Sequence, residues 1–264
     1  MVNVSIITVN FNNSKGLEKT INSVREQRYE DVEFIVIDGL STDNSKSIIL
    51  KNQDIISYWV SEKDKGIYDA MNKGIIASHG SYILFLNSGD YLVNKNTLLN
   101  IFSEGCSEDL VIGRQLFINS KGKVGRSPKL HNREFNITYF LSSTIPHQAT
   151  FIKRALFEKI GYYDITYKVS ADWVFWVKAI VENCCSVRII NKNISYMEEG
   201  GVSSNMDKCY VDMSRYMDEC LRKGIITWND IFEYSIKGRM QEYNQRNKLL
   251  YLFNKILTGI GKKI

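Results

Sequence analysis

The stretch Ser81-Tyr-Ile-Leu-Phe-Leu-Asn-Ser-Gly-Asp90 decides the fold class of this chain. Its five consecutive apolar residues, Tyr82 to Leu86, run directly into a polar group that ends at Asp90. A short apolar run rich in aromatic and branched side chains is typical of a strand buried on both faces. Ligands of open α/β sheets bind at the carboxyl ends of such strands, so Asp90 offers a carboxylate to a divalent cation or a phosphate-bearing ligand. An ordinary turn that caps the next helix is the alternative.

Strand-like and helix-like segments alternate over the first 109 residues. The pattern predicts strands at 4–9, 32–37, 55–60 and 82–86, and helices around 17–24, 44–51, 67–77 and 98–102. Such alternation with short connections predicts an α/β fold, in which helices flank a mostly parallel sheet.

The pattern is looser after residue 109. We predict strands at 110–118, 123–126, 147–152, 186–190 and 194–197, and helices at 135–141, 154–160 and 171–181, the last with Ser170 as its N-cap. From residue 205 onward the pattern is helical. This predicts a domain at 1–204, with a nucleotide-binding half at 1–109 and an acceptor half at 110–204, followed by a helical basic extension at 205–264.

The positive charge of the chain lies in that extension. The 264 residues carry a net charge of +5, and residues 237–264 contain seven basic side chains against one acid, so the rest is close to neutral. A basic amphipathic helix predicts contact with anionic lipid at the inner face of a membrane. Packing on the domain, or on a second copy in a homodimer, is the alternative. No motif for nucleic-acid recognition accompanies these residues.

Cysteine usage and hydropathy bear on the cellular compartment. The five cysteines are odd in number and form no Cys-x-x-Cys pair, which argues against a disulfide framework or a zinc site and predicts a reducing, cytoplasmic environment. No apolar run approaches the roughly 18 residues that span a bilayer. The first residues show no signal-peptide features.

Three predicted parallel strands end in polar groups, at Thr8-Val-Asn10, at Asp38-Gly39 and at Asp90. The sequence contains neither the phosphate-binding Gly-x-x-x-x-Gly-Lys-Ser/Thr loop nor the Gly-x-Gly-x-x-Gly dinucleotide fingerprint. Carboxylates suit Mg²⁺ or Mn²⁺, and these ions bridge to phosphate oxygens. The strand ends therefore predict a nucleoside diphosphate that is held through a metal ion.

Four segments in order resemble the family 2 inverting glycosyltransferases, which have the GT-A fold with its nucleotide-sugar-binding, Rossmann-like sheet. They are Ser5-Ile-Ile-Thr-Val-Asn-Phe-Asn12, Val36-Ile-Asp-Gly-Leu-Ser-Thr-Asp-Asn-Ser45, Asp64-Lys-Gly-Ile-Tyr-Asp-Ala-Met-Asn-Lys-Gly74 and Gly80-Ser-Tyr-Ile-Leu-Phe-Leu-Asn-Ser-Gly-Asp90. The likeness extends through Asp172 to Gly201. The Asn-Ser-Gly-Asp turn resembles a branch of bacterial capsule, O-antigen and colanic-acid-type exopolysaccharide transferases.

The resemblance implies roles for individual residues. Nucleotide contacts would come from Thr8, Asn10, Asp38, Asp64, Lys65, Gly66, Asn72 and Ser88, with Asp38 accepting from the base or a ribose hydroxyl. Asp90 would hold the divalent metal, although Asn87 and Gly89 stand where the family usually carries further carboxylates. The donor would be a UDP- or GDP-sugar, and the acceptor a saccharide or a polyprenyl-linked molecule.

Asp172 is the predicted catalytic base. An inverting transfer needs one carboxylate that takes the proton of the acceptor hydroxyl, and the resemblance places that carboxylate in Ala171-Asp172-Trp173. A position at a helix N-terminus keeps a carboxylate ionised, which suits a base. A purely electrostatic role at the helix terminus is the alternative.

Other residues of the second half carry weaker signals. His147 and Gln148 are candidates to face the donor sugar or the acceptor, although a lone histidine is often structural. Gly200 and Gly201 resemble a loop that closes over the diphosphate, and a simple glycine turn is the alternative. Trp173 and Trp176 are predicted core residues, with stacking on an acceptor sugar as the alternative.

The sequence therefore predicts a hexosyltransferase-type enzyme that extends a surface polysaccharide or a lipid-linked oligosaccharide. A nucleotidyltransferase that makes the nucleotide sugar would share the α/β layout, but its Gly-rich N-terminal signature is absent. A non-catalytic subunit that binds a sugar nucleotide is the other alternative, because Asn87 and Gly89 lack carboxylates.

Overall fold

A computed structural model describes residues 3–103, 105–119, 122–126, 135–198 and 206–231. Four parallel strands form the first half of the sheet: β1 (Val4–Asn10), β2 (Val32–Asp38), β3 (Tyr58–Ser61) and β4 (Tyr82–Phe85). Strand β1 lies between β2 and β4, and β3 lies outside β2. Successive strands are thus added on one side of β1 up to β3 and on its other side from β4 onward. Open α/β sheets bind ligands at such a reversal of strand order.

Helices cover both faces of these strands. They are α1 (Ser14–Arg25), α2 (Ser45–Lys51), α3 (Ile67–Ala77) and α4 (Thr97–Phe102). Successive residues of β1 enter different hydrophobic clusters, Ile6 that of α1 and Ile7 that of α3, because strand side chains alternate between faces. The predicted α/β fold with helices on both faces of a mostly parallel sheet is confirmed.

The second half adds five strands and is mixed. They are β5 (Tyr91–Leu92), β6 (Leu110–Ile118), β7 (Val124–Arg126), β8 (Thr150–Lys153) and β9 (Val187–Glu198). Within the described residues the sheet runs β3-β2-β1-β4-β8-β6-β9-β5, and β7 pairs with the far end of β6. Strand β8 is antiparallel to both of its neighbours, whereas β6 and β9 are parallel.

Two strand predictions in this half were wrong. Residues 147–149 form a 3₁₀ turn rather than a strand, because the Ala149 N–H donates to the Pro146 carbonyl (3.1 Å). The strands predicted at 186–190 and 194–197 are one strand, β9, whose register shifts opposite Arg114. Strand β3 also begins at Tyr58, three residues later than predicted.

Four further helices complete the fold: α5 (Ile137–Phe140), α6 (Arg154–Ile160), α7 (Ala171–Trp176) and α8 (Met206–Arg222). The helix predicted to reach residue 181 changes after Trp176 into a π-helical turn, Val177–Glu182. Ser170 is the N-cap of α7, but its side chain does not cap the helix. Trp173 and Trp176 are core residues, and their indole N–H groups donate to Phe140 and Ile145 carbonyls.

Helix α8 belongs to the extension predicted at 205–264. Its Tyr216 and Cys220 join the same hydrophobic core as α7. No helix in the described ranges combines the length and the hydropathy that a membrane crossing requires. The domain boundary at 204 and the basic segment 237–264 lie outside the described residues and stay predictions.

Candidate active site

A cleft of about 1080 Å³ opens at the carboxyl ends of β1, β2 and β4. Strands β6 and β9 and the segment 143–148 form its far wall. The predicted site residues that line it are Asn10, Asp64, Gly66, Ser88, Asp90, His147, Gln148 and Asp172. Those that do not are Thr8, Asp38, Lys65 and Asn72, while Gly200 and Gly201 lie outside the described residues. The sheet thus gathers residues from both halves of the chain around one space.

Asp38, at the end of β2, is fully buried beside this cleft. Its carboxylate accepts hydrogen bonds from the Asn10 amide (2.7 Å), the Ser41 hydroxyl (2.5 Å) and N–H (3.0 Å), and the Ser61 hydroxyl (2.6 Å). These donors replace the water that the carboxylate has lost. Asp38 therefore fixes the orientation of Asn10, whose own Oδ1 is buried without a hydrogen-bond partner in the described residues and lines the cleft.

Two other residues that were predicted to bind the nucleotide, Thr8 and Asn72, form hydrogen bonds within the protein instead. The Thr8 hydroxyl is fully buried and donates to the Leu86 carbonyl (2.7 Å), so it ties β1 to the end of β4. The Asn72 side chain donates to the Tyr163 carbonyl (2.8 Å) and accepts from the Tyr163 N–H (3.0 Å). Asn72 thereby joins α3 to the loop that leads towards α7.

Asp64 lines the cleft and forms an ion pair with Lys73. The Lys73 ammonium lies 2.6 Å from Asp64 Oδ1 and 2.8 Å from Glu62 Oε1. Burial raises the pKa of Asp64, although Lys73 acts in the opposite direction. A Cβ at Gly39 would lie only 2.9 Å from Asp64 Oδ2, so glycine lets the end of β2 approach this carboxylate.

The turn into α3 uses backbone conformation rather than charge. Gly66 lines the cleft with φ = 135°, a conformation that L side chains rarely adopt. The preceding Lys65 N–H donates to Asp69 Oδ2 (2.9 Å), which closes the first turn of the helix. This geometry places Tyr68 at the cleft wall.

Asp90, after β4, is only 7% exposed, and its surroundings do not favour its charge. Burial raises its pKa to about 7, although the His147 and Gln148 side chains act in the opposite direction. The turn itself is fixed, because the Thr20 hydroxyl donates to the Asp90 carbonyl (2.7 Å) and accepts from the Gly89 N–H (3.0 Å). A positively charged partner would therefore favour the ionised form of the Asp90 carboxyl group.

Asp172, in the first turn of α7, also lines the cleft. His147 Nδ1 is 3.1 Å from its Oδ2, and the Tyr68 hydroxyl is 2.7 Å from its Oδ1. Burial by itself would raise the pKa of Asp172. Hydrogen bonds from His147, Tyr68 and the Trp173 N–H outweigh burial and lower that pKa below its usual value. Asp172 is therefore ionised at neutral pH.

The imidazole of His147 connects Asp172 to the turn after β4. Its Nε2 lies 3.3 Å from Asn87 Nδ2, and its Nδ1 lies 3.1 Å from Asp172 Oδ2. Asn87 Oδ1 is buried without a partner among the described residues. His147 thus links the predicted metal turn and the predicted base.

The loop before Asp172 is held from the C-terminal extension. Asp212 on α8 is 8% exposed, and its Oδ2 accepts from the Val169 N–H (2.8 Å) and the Ser170 N–H (3.2 Å). Arg215 stacks over the Tyr167 ring at 3.7 Å. Helix α8 therefore fixes the backbone that carries Asp172.

Comparisons with known proteins show the family to which this chain belongs. The sequence profile of Glycosyl transferase family 2 matches residues 5–161. The uncharacterized glycosyltransferase Rv1514c of Mycobacterium tuberculosis is 33% identical over 249 residues, which cover 92% of this chain and 94% of that protein. This chain belongs to glycosyl transferase family 2.

Solved structures share the fold of this glycosyltransferase. Staphylococcus aureus TarS 1–349 in complex with UDP-GlcNAc superposes with a TM-score of 0.66 at 20% identity, over 83% of this chain and 66% of that one. Glucosyl-3-phosphoglycerate synthase from M. tuberculosis, in complex with Mn²⁺, UDP and glucosyl-3-phosphoglycerate, gives 0.59 at 14% identity, over 83% of this chain and 80% of that one. These neighbours confirm the GT-A fold.

The turn after β4 of this glycosyltransferase suits a hard divalent cation. No group of three or more His, Cys, Asp or Glu side chains in the described ranges is arranged to hold a metal. Mg²⁺, however, is commonly bound by one or two carboxylates together with substrate phosphates and water. Asp90 has a raised pKa and Asn87 Oδ1 lacks a partner within the described part of the chain, so these two oxygen donors fit such an ion.

Sequence reasoning missed three residues of this site: Tyr68, Lys73 and Asp212. Tyr68 and Lys73 lie inside the quoted 64–74 motif, where only the neighbouring residues were singled out. Asp212 had no signal, because it contacts the loop before α7 from 43 residues away in sequence.

Proposed function

We propose that this glycosyltransferase transfers a sugar from a UDP-sugar to a saccharide or lipid-linked acceptor with inversion at the anomeric carbon. The observation that carries this proposal is the position of Asp172. It is ionised, it is held by two hydrogen-bond donors, and it lines the same cleft as the residues that we propose hold the nucleotide.

Asp172 acts as the general base. It takes the proton of the acceptor hydroxyl as the hydroxyl oxygen attacks the anomeric carbon, and the bond from that carbon to the diphosphate breaks on the opposite face. His147 and Tyr68 keep the carboxylate in one orientation. Such pre-orientation lowers the entropic part of the barrier.

The nucleotide is held at the ends of β1 and β2. Asn10 lines the cleft, and its Oδ1 is buried and unpartnered within the described residues, which suits an N–H donor of a base such as uracil. Asp64, Gly66 and Ser88 line the same region. The choice of UDP over GDP is supported by the two structural neighbours named above, whose complexes contain UDP-GlcNAc or UDP.

Asp90 and the Asn87 Oδ1 would hold a divalent cation, Mn²⁺ or Mg²⁺, on the donor diphosphate. When bound, such an ion neutralises charge on the leaving diphosphate. The burial of Asp90 then ceases to oppose its ionisation, because a positive neighbour favours the charged form.

The acceptor side belongs to the second half of the chain, and we assign the enzyme to bacterial surface polysaccharide or glycolipid synthesis at the cytoplasmic membrane. The basic segment 237–264 would bring it to a lipid-linked acceptor. Deletion of 237–264 should abolish sedimentation with vesicles that contain anionic phosphatidylglycerol. Unchanged sedimentation would contradict membrane contact and leave the transfer reaction untouched.

Thermal unfolding with UDP, GDP, CMP and ADP, each with Mn²⁺ and again with EDTA, tests the donor class. A nucleotide at a hundred times its Kd should add about 2.7 kcal/mol of stability. We expect stabilisation by UDP with Mn²⁺ and little with EDTA. Stabilisation by GDP alone would overturn the donor assignment, and no stabilisation by any of them would favour a non-catalytic protein.

Inversion is tested with the sugar donor that the enzyme accepts. NMR coupling constants of the product should show the anomeric configuration opposite to that of the donor. Retention of configuration would contradict the role of Asp172 as a general base.

A further inference from the structure

The Tyr68 hydroxyl lies at the same short distance from two oxygen acceptors. It is 2.7 Å from the Val169 carbonyl oxygen and 2.7 Å from Asp172 Oδ1. A tyrosine hydroxyl has one proton to donate, whereas an ionised carboxylate and a carbonyl can only accept. While Asp172 is ionised, only one of these two contacts can be a hydrogen bond at any instant.

Val169 and Tyr68 are both held in place, so they cannot move apart to remove this conflict. Val169 is fixed because its N–H donates to the buried Asp212 carboxylate (2.8 Å). The Tyr68 ring is 6% exposed and packs against the Tyr163 ring, with centroids 5.4 Å apart. Burial and the nearby Asp172 raise the pKa of Tyr68 well above its usual value, so the hydroxyl keeps its proton.

The conflict disappears once Asp172 is protonated. A carboxylic acid has a proton to donate, and the Tyr68 oxygen can accept it while its own proton turns to the Val169 carbonyl. Both 2.7 Å contacts then become hydrogen bonds at once. Tyr68 therefore forms two hydrogen bonds, to Val169 and to Asp172, when Asp172 is protonated, but only one when Asp172 is ionised.

We propose that Tyr68 is a positioning residue that reverses its hydrogen bond to Asp172 during glycosyl transfer, donating to the carboxylate before the reaction and accepting from the carboxylic acid after it. This inference rests on the proposed role of Asp172 as the base. It assigns Tyr68 a part in holding the carboxyl group of Asp172 in one place before and after the proton is transferred.

The proton balance of the step is complete. The acceptor O–H bond breaks, its proton forms an O–H bond on Asp172, and its electron pair forms the bond to the anomeric carbon. The electron pair of the bond to the donor diphosphate leaves with the diphosphate. Tyr68 keeps its own proton throughout and only changes the acceptor to which that proton points.

Other titratable groups lie near Asp172. They are His147 from the 3₁₀ turn, Tyr163 from the loop before α7, and Cys209 and Asp212 from α8. Tyr163 offers a matched control, because its ring packs on Tyr68 and its buried hydroxyl has no hydrogen-bond partner in the described residues.

The test compares pH profiles of kcat for the wild type, Tyr68→Phe and Tyr163→Phe. Because Tyr68→Phe removes the hydroxyl that holds the carboxyl group of Asp172 in both protonation states, we expect it to lower kcat about tenfold or more on the plateau above the acid limb. The acid limb itself should move to higher pH, because the carboxylate loses a donor. Tyr163→Phe should change neither quantity.

A plateau that is unchanged or raised in Tyr68→Phe would overturn the proposal, because a residue that only donates to the carboxylate opposes its protonation. Stabilisation by UDP with Mn²⁺ checks that each variant is folded. Should Tyr68→Phe not fold, Asp212→Asn weakens the anchor of Val169 and should also lower the plateau, and an unchanged plateau would overturn the proposal. Turnover that survives Asp172→Asn would instead refute the proposed base.

Discussion

At the end of β2, Asp38 is fully buried and accepts four hydrogen bonds from Asn10, Ser41 and Ser61. At the end of β4, Asp90 is almost as deeply buried, yet burial raises its pKa to about 7 and the neighbouring Asn87 Oδ1 has no partner in the described ranges. Both carboxyl groups follow parallel strands of the same sheet. The first is stabilised by the protein itself, whereas the second needs a positive partner. Burial alone thus does not distinguish a carboxylate with a structural role from one that is suited to bind a ligand. The number of hydrogen-bond donors around the carboxylate does distinguish them.

The largest expected effect is on catalysis at the centre of the cleft. Asp172→Asn keeps the shape of the side chain but removes the base, so kcat should fall by roughly 10²–10⁴-fold. Stabilisation by UDP with Mn²⁺ should persist, because the proposed nucleotide contacts come from Asn10, Asp64 and Ser88 rather than from Asp172. Single-turnover transfer assays measure the loss. Equal loss of nucleotide binding would mean that Asp172 belongs to the donor site instead.

The next largest effect is on stability at the end of β2. Asp38→Asn replaces a carboxylate oxygen with an amide that cannot accept, so buried donors of Ser41 and Ser61 lose their partner. Urea unfolding should show a loss of about 2–4 kcal/mol. Asp54→Asn, at a carboxylate exposed to solvent beside Arg25, is the matched control and should leave the midpoint nearly unchanged. A small effect of Asp38→Asn would mean that the hydrogen bonds to Asp38 do not stabilise the fold and that Asp38 and Asp90 do not differ in this way.

The charge of Asp90, unlike that of Asp38, should destabilise the folded protein. Its pKa of about 7 in the folded protein exceeds the value of about 3.9 expected after unfolding. The folded state therefore binds more protons between these two values, so without metal its stability should fall as pH rises from about 4 to about 7, by at most about 1.4 kcal/mol per pH unit. Asp90→Asn should remove this slope and show no Mn²⁺ effect on UDP binding. An unchanged slope in unfolding free energy against pH would contradict the assignment.

The smallest effect concerns the close approach of β2 to Asp64. In Gly39→Ala the new Cβ would meet Asp64 Oδ2 at 2.9 Å and push the carboxylate from its place. We expect UDP affinity to fall several-fold, with less than about 1 kcal/mol lost in stability. Gly125→Ala is the control, because a Cβ added there would meet no atom of the described residues within 4 Å. Isothermal titration with UDP measures both, and equal affinities would remove Asp64 from the nucleotide end.

The first half of the fold was predictable because its signals are local. Apolar runs and the polar residues that end them placed β1, β2 and β4 to within a residue, and helix α3 has the predicted bounds. The second half depends on contacts between distant segments. The register shift in β9 arises opposite β6, where a Cβ at Gly113 would meet Ile194 at 2.2 Å, and nothing near residue 190 in sequence announces it.

The candidate site shows the same division. Polar residues at the ends of strands are visible as patterns and placed Asn10 and Asp90 at the cleft, whereas the family resemblance placed Asp172 there. The sequence could not show that Asp38 already has its donors, or that Tyr68 and Asp172, 104 residues apart, share a hydrogen bond. Those facts depend on the packing of side chains, which local patterns do not encode.

The hydrogen bonds from Val169 and Ser170 to Asp212 bear on how such enzymes can be cut and recombined. The segment that matches the family ends at residue 161, before Asp172, and α8 begins only at Met206. A chimera that joined residues 1–204 to a foreign C-terminus would retain Asp172 but lose the carboxylate that holds its loop. For transplanting this chemistry, the smallest useful fragment therefore includes α8 and is longer than the segment that sequence matching defines.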